Sequence, residues 1–199
     1  CSSERNALSP AFYAALTEAL AQAEADPTVG AIVLTGEGGH FCAGGDIAFL
    51  RNSALTDGGK SGLKFFYEEY QLNHLLMTYP RPVIAFMDGI TMGGGVGISQ
   101  PAKFRVATEN TRFAMPETGI GLFPDVGGGY FLSRCPGRAG EWLALTGDVI
   151  DGAAAIALGL ADRMVDGARL QDAWDALATI DAGNPTQLAQ WDATYSIAI

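Results

Sequence analysis

Val83-Ile84-Ala85-Phe86-Met87-Asp88-Gly89-Ile90-Thr91-Met92-Gly93-Gly94-Gly95-Val96-Gly97 passes from an unbroken apolar run, through a turn, into a cluster of glycines. Val83 to Met87 lacks the polar alternation of a half-exposed strand and reads as one buried on both faces. Pro80-Arg81-Pro82 separates it from what precedes. The glycines at 93–95 and 97 put side-chain-free backbone directly after it, where an N–H can approach a ligand at hydrogen-bond distance.

The same arrangement occurs once more. Ala31 to Thr35 (AIVLT), bounded by Gly30 and Gly36, reads as a second buried strand, and the Gly36–Asp46 loop ends in Phe41-Cys42-Ala43-Gly44-Gly45-Asp46. Two N–H groups converging from two such turns make an oxyanion hole, which stabilises charge developing on a carbonyl oxygen. Close packing of backbone on backbone is the competing explanation for each cluster taken alone.

Around these strands the pattern is helical. Ser9-Pro10 is a cap followed by proline in the first turn, and Phe12, Leu16, Leu20 and Ala23 follow at helical spacing. Leu63 to Tyr79 reads as a second helix with Phe66, Tyr70, Asn73 and Met77 on one stripe, preceded by a polar, mobile loop from Ser53 to Ser61. Phe104–Thr108 and Arg112–Ala114 read as strands. Gly127–Cys135, Ala139–Leu145, Gly152–Leu158 and Arg169–Ile180 read as helices. Short strands alternating with helices predict an α/β fold without a linker or tandem repeat.

Composition bounds the function. The 199 residues suffice for one sizeable core, and 48% hydrophobic with 17% charged residues is a globular balance. A net charge of −10 argues against nucleic acid and against an anionic membrane as partners. Apolar runs fall short of the ~18 residues a membrane span needs. Cys1, Cys42 and Cys135 form no CxxC pair, which points to a reducing compartment. The start, Cys-Ser-Ser-Glu-Arg-Asn, leads almost at once into a helix, so a leading strand or targeting segment is expected to be missing before it.

Several motifs fail. Gly59-Lys60-Ser61 would close a phosphate loop only with glycine at position 54, which is Ala54. No GxGxxG is present, and Gly97-Ile98-Ser99-Gln100-Pro101 lacks the last glycine of a nucleophile elbow. With only His40 and His74 and no HExxH, no histidine-rich metal site is expected. Cys42 reads as a small buried hydrophobe.

Met115-Pro116-Glu117-Thr118-Gly119-Ile120-Gly121-Leu122-Phe123-Pro124-Asp125-Val126-Gly127-Gly128-Gly129 is different. It embeds Glu117 and Asp125 among apolar residues and glycines, surroundings that raise a carboxyl pKa toward the range useful for acid–base chemistry. Asp125 also stands where it could cap the helix that follows.

These segments together resemble the crotonase (enoyl-CoA hydratase/isomerase) superfamily from Asn6 to about Val165. The resemblance implies a spiral of repeated ββα units with flanking C-terminal helices, a core over 1–168 and an incomplete helical segment over 169–199. It implies an acyl-CoA thioester as substrate, with the N–H groups of Ala43 and Gly94 as oxyanion donors, and no cofactor beyond the coenzyme A of the substrate. Gly97 stands where related hydratases carry the first of two catalytic glutamates, so hydration is disfavoured. ITMGGGVGIS, FRVATE, FAMPETGIGLFPDVGGGYFLSR, LALTG and FFYEEYQLN are similar to the 3-hydroxyisobutyryl-CoA hydrolase branch, whose valine-breakdown chemistry the resemblance carries here. It places Glu69, Gly94, Glu117 and Asp125 on the substrate, with Gly44 and Asp46 beside them and Glu117 and Asp125 as catalytic groups. Read without it, Glu69 beside Glu68 is as well a solvated charge on a helix face. Arg51 and Lys60 are the expected partners of the CoA phosphates. Enoyl-CoA hydration or isomerisation and a non-catalytic CoA-binding module are the alternatives. A homo-oligomer is open, and the compartment is the cytoplasm, or the mitochondrial matrix if a transit peptide has been removed.

Overall fold

The computed structural model describes residues 5–197. Cys1 and the start of the stretch behind the expectation of a missing leader lie outside the described residues.

Strands β1 (Ile32–Leu34), β2 (Val83–Met87), β4 (Phe104–Ala107) and β6 (Arg163–Met164) form one parallel sheet in the order β1-β2-β4-β6. Its register pairs Ile32 with Val83, Ile84 with Phe104 and Val106 with Arg163. Strands β3 (Ile90–Met92) and β5 (Arg112–Ala114) form a second parallel pair, joined by bridges from Cys42 to Thr91 and from Phe113 to Ile150. The turn between β2 and β3 requires glycine: Gly89 has φ +64°, and a Cβ there would lie 2.1 Å from the Gly39 carbonyl oxygen. Each repeat therefore runs strand, turn, strand and then a helical element. After β3 the element is α4 (Gly94–Ser99), and after β5 it is a 3-10 turn over Glu117–Ile120.

Helix α4 forms against the intrinsic preference of its glycines. Packing demands them, because a Cβ at Gly95 would lie 2.5 Å from the Cys42 carbonyl oxygen. Helices α1 (Pro10–Ala25), α2 (Ile47–Thr56) and α3 (Lys60–Met77) gather beside the 41–46 loop, with Tyr13, Leu20, Phe65, Leu72 and Leu76 in their shared core. Helices α5 (Gly128–Leu132), α6 (Ala139–Thr146) and α7 (Gly152–Ala157) cover the second strand pair. Helices α8 (Leu170–Leu177) and α9 (Pro185–Tyr195) close the other face of the sheet, where Phe86 meets Trp174 and Trp191 edge-on at 5.8 and 6.1 Å. No helix among the described residues is long and apolar enough to cross a membrane.

The structure revises two local expectations. Ser53 to Ser61 is not a loop: it holds the end of α2, a short turn and the start of α3. The Asp57 carboxylate accepts from the Ser53 hydroxyl at 2.7 Å and from the Ser61 hydroxyl, tying the two helices together. In α3 the buried face is Gly62, Phe65, Glu69, Leu72 and Leu76, one position away from the stripe of Phe66, Tyr70, Asn73 and Met77.

Candidate active site

A cavity of about 190 Å³ lies where the two glycine turns meet. Ala43, Gly44 and Gly45 come to it from the loop before α2, Phe65, Phe66 and Glu69 from α3, and Gly93 and Gly94 from the start of α4. Pro116, Glu117, Ile120, Leu122 and Asp125 complete it from the segment after β5. Glu69, Glu117 and Asp125, far apart in sequence, thus line one small space that no Lys or Arg among the described residues enters. A larger groove of about 620 Å³ runs along Asn73, Met77, Arg105 and Tyr130, but no carboxylate among the described residues stands on its walls.

Local structure fixes the donors. The N–H expected from Ala43 is already used: it donates to the Arg5 carbonyl at 3.0 Å. Along the same loop the Cys42 N–H donates to Ile90, the Gly44 N–H to the Cys42 sulfur and the Asp46 N–H to Leu8. Gly45 is the residue whose N–H finds no acceptor among the described residues. The Gly94 N–H opens α4, ahead of the helix's own hydrogen bonds, and is likewise without an acceptor there. The two groups are close, since a Cβ at Gly94 would lie 3.3 Å from the Gly45 nitrogen. Asp46 is the second correction. It does not line the cavity; its carboxylate caps α2, accepting the Phe49 N–H at 2.9 Å.

The three carboxylates differ in what holds them. Glu69 is 3% exposed, which excludes the solvated face, while its neighbour Glu68 pairs with Lys64 on the outside. Glu69 Oε1 accepts the Tyr13 hydroxyl at 2.7 Å and abuts Gly94, whose Cβ would stand 2.6 Å from it. Asp125 Oδ2 accepts the Tyr70 hydroxyl at 2.6 Å. It does not cap α5, whose first turn begins at Gly127 without a side-chain cap. Glu117 is 7% exposed, its Oε1 faces Gly93, and its Oε2 is buried with no hydrogen-bond partner among the described residues.

Burial drives the titration of all three. It pushes Glu117 up to about 7, helped by the nearby Asp125 charge. It pushes Glu69 up to about 7 as well, where Asp125 and Glu117 add to the shift and the Tyr13 hydrogen bond opposes it. Asp125 is also raised by burial, against the Tyr70 hydrogen bond. Cys42 is buried and its thiol is pushed up to about 12, the behaviour of a structural cysteine rather than a nucleophile. His40 stays outside the cavity, its Nδ1 accepting the Ile90 N–H at 3.4 Å.

A sequence profile described as enoyl-CoA hydratase/isomerase matches residues 2–197. The chain belongs to the enoyl-CoA hydratase/isomerase family. Within it, the chain is 45% identical over 181 residues to 3-hydroxyisobutyryl-CoA hydrolase 1 of Arabidopsis thaliana, covering 91% of this chain and 48% of that protein. It is 53% identical over 152 residues to the mitochondrial 3-hydroxyisobutyryl-CoA hydrolase of Xenopus tropicalis, covering 74% and 38%. A further relative, 48% identical over 159 residues and covering 78% of this chain and 31% of its own length, is small ribosomal subunit protein mS47 of Neurospora crassa. Among solved structures, the carnitinyl-CoA dehydratase from Mycobacterium thermoresistibile superposes with a TM-score of 0.88 at 40% identity, over 97% of this chain and 55% of that one. The α/β crotonase fold expected from the sequence is therefore the fold of this chain. The chain spans about half the length or less of these curated relatives.

Sequence reasoning missed Gly45, Tyr13, Tyr70 and Val126. Gly45 was one of two adjacent glycines with no local signal of which N–H turns inward. At helical spacing Phe12 opens the apolar stripe of α1, yet it is half-exposed and Tyr13 is the buried residue. Val126 matters because a Cβ at Gly97 would lie 2.5 Å from Val126 Cβ. The place where the resemblance would put a hydratase glutamate is therefore filled by Val126.

Proposed function

We propose that this chain hydrolyses a short 3-hydroxyacyl-CoA thioester, with 3-hydroxyisobutyryl-CoA the first substrate to try. The observation that carries the reading is the buried, unpartnered Glu117 Oε2 in a cavity that also holds two free backbone N–H groups. The N–H groups of Gly45 and Gly94 donate to the thioester carbonyl oxygen and stabilise it as it becomes an oxyanion. Ionised Glu117 supplies the attack, either by deprotonating a water or by adding to the carbonyl to form a mixed anhydride that water then opens. In both routes the carbon–sulfur bond breaks, CoA leaves as thiolate and takes a proton, and the acyl group leaves as the acid. Asp125 and Glu69 flank the acyl group and hold its hydroxyl. The chemistry needs no cofactor. Names of the hydrolase relatives support the acyl group, and the mitochondrial name of the Xenopus protein supports a mitochondrial setting over the cytoplasm. Arg51, exposed on the helix whose Ile47 and Leu50 line the cavity, supports phosphate binding on that side.

The test is thiol release from 3-hydroxyisobutyryl-CoA, with loss of the enoyl absorbance of crotonyl-CoA followed in parallel. Thiol release with the enoyl signal unchanged is the expected result. Enoyl loss without thiol release makes the chain a hydratase. Silence in both assays favours a second reading, a non-catalytic module, for which the ribosomal relative is the supporting observation. Three carboxylates held out of water at a folding cost speak against that reading.

A further inference from the structure

Glu69 has one hydrogen-bond donor among the described residues, and it comes from another helix 56 residues away in the chain. Tyr13 is 1% exposed, does not line the cavity, and is fixed by an edge-on contact with Phe65 at 5.1 Å. We propose that Tyr13 is a positioning residue for the acyl site: its hydroxyl pins Glu69 Oε1 beside Gly94 and leaves Oε2 as the oxygen that takes up and offers a proton to the substrate. The inference rests on the thioester-hydrolase reading for its substrate and on the hydrogen bond for its chemistry.

The proton assignment follows from donor logic. Burial and the Glu69 charge raise the Tyr13 phenol, so it stays protonated and always donates. Oε1 is then an acceptor in either ionisation state of Glu69, and a proton on the carboxyl belongs to Oε2. A neutral Glu69 can in this way donate to a substrate hydroxyl, and an ionised one can accept from it. The groups facing Glu69 are Tyr13 from α1, Cys42 from the preceding loop, Tyr70 from its own helix, and Glu117 and Asp125 from the segment after β5. All are acids, and Tyr13 is the one that donates to Glu69.

Tyr13→Phe keeps the ring and removes only the hydroxyl. Two measurements on the full chain read the consequence. Carbon-13 NMR of the glutamate carboxyls, with Glu69→Gln to assign the signal, follows the Glu69 titration without any substrate. Loss of the donor is expected to move it upward by about half a unit to a unit. Kinetics then compare 3-hydroxyisobutyryl-CoA with isobutyryl-CoA, which lacks the hydroxyl, and the preference for the hydroxylated substrate is expected to fall about 10-fold in Tyr13→Phe. An unmoved Glu69 titration, or an unchanged preference, overturns the proposal. If the wild-type chain releases no thiol from either substrate, the hydrolase reading fails, and the NMR result still decides whether Tyr13 governs Glu69. Should Tyr13→Phe unfold, 3-fluorotyrosine at position 13 provides the comparison: it keeps the ring and makes the hydroxyl a stronger donor, so the Glu69 titration is expected to move downward, and one unchanged from wild type overturns the positioning role.

Discussion

Val126 Cβ stands 2.5 Å from where a side chain at Gly97 would begin. Val126 also has φ +41°, a conformation costly for a β-branched residue. The pair leaves no room for the glutamate that the resemblance to hydratases would place at position 97. Gly97→Glu should destabilise the chain by about 1–3 kcal/mol through overpacking and give no crotonyl-CoA hydration. Adding Val126→Gly, which suits the positive φ, should restore most of that stability. Thermal unfolding of the single and double variants checks it; a Gly97→Glu chain as stable as wild type would contradict the packing.

Glu117→Gln should abolish thiol release by roughly 10²–10⁴-fold while the fold persists. The same variant should gain stability, in a pH-dependent way. Glu117 has a folded pKa of about 7 against an ordinary value of 4.5, so between these pH values the folded chain binds more protons than the unfolded one. Stability therefore falls as pH rises through that window. The gain from Glu117→Gln is expected to be on the order of 2 kcal/mol at about pH 8 and small at about pH 5. Melting temperatures at the two pH values measure it.

Turnover should run the other way. If ionised Glu117 makes the attack, kcat/KM rises as pH increases through about 7, where its carboxyl loses the proton. A profile already flat from pH 5 upward would remove Glu117 from that role.

Gly94→Ala should lower kcat/KM roughly 10–1000-fold, because the new methyl would meet Glu69 Oε1 at 2.6 Å and crowd the Gly45 N–H. Gly129→Ala is the control. Nothing lies within 4 Å of a Cβ there, so activity should be kept.

Tyr70→Phe should cost only about 3- to 10-fold, less than loss of the carboxylate it serves. Tyr70 is 41% exposed, and water can replace its hydroxyl on Asp125. Asp125→Asn should cost more. Equal losses in the two variants would mean that Tyr70 itself touches the substrate.

The frame of the fold was legible because its signals are local. Val83 to Met87 is buried throughout, and an apolar run between prolines and glycine announces that without tertiary knowledge. Glu117 and Asp125 were legible as carboxylates in apolar sequence. The phase of α3 was not, because its buried face carries Glu69 and a glycine while Tyr70 and Met77 stand exposed. Periodicity counts apolar residues and cannot see a carboxylate buried for a purpose. Helix α4 was hidden by its glycines, and α9 buries little beyond Trp191. The donor at Gly45 was invisible for another reason: only the tertiary path of the loop decides which of its N–H groups turns inward.

The two N–H groups proposed as oxyanion donors, those of Gly45 and Gly94, belong to the main chain, and a residue-by-residue scan reaches them only indirectly. Substitution at positions 45 and 94 can crowd the hole but cannot delete it, since every coded residue except proline carries the same N–H. Alanine scanning would credit the catalytic power to the acids and score the hole as a packing effect. Replacing the Gly45 or Gly94 amide by an ester, through chemical ligation, is the change that would take away one donor and leave every side chain as it was.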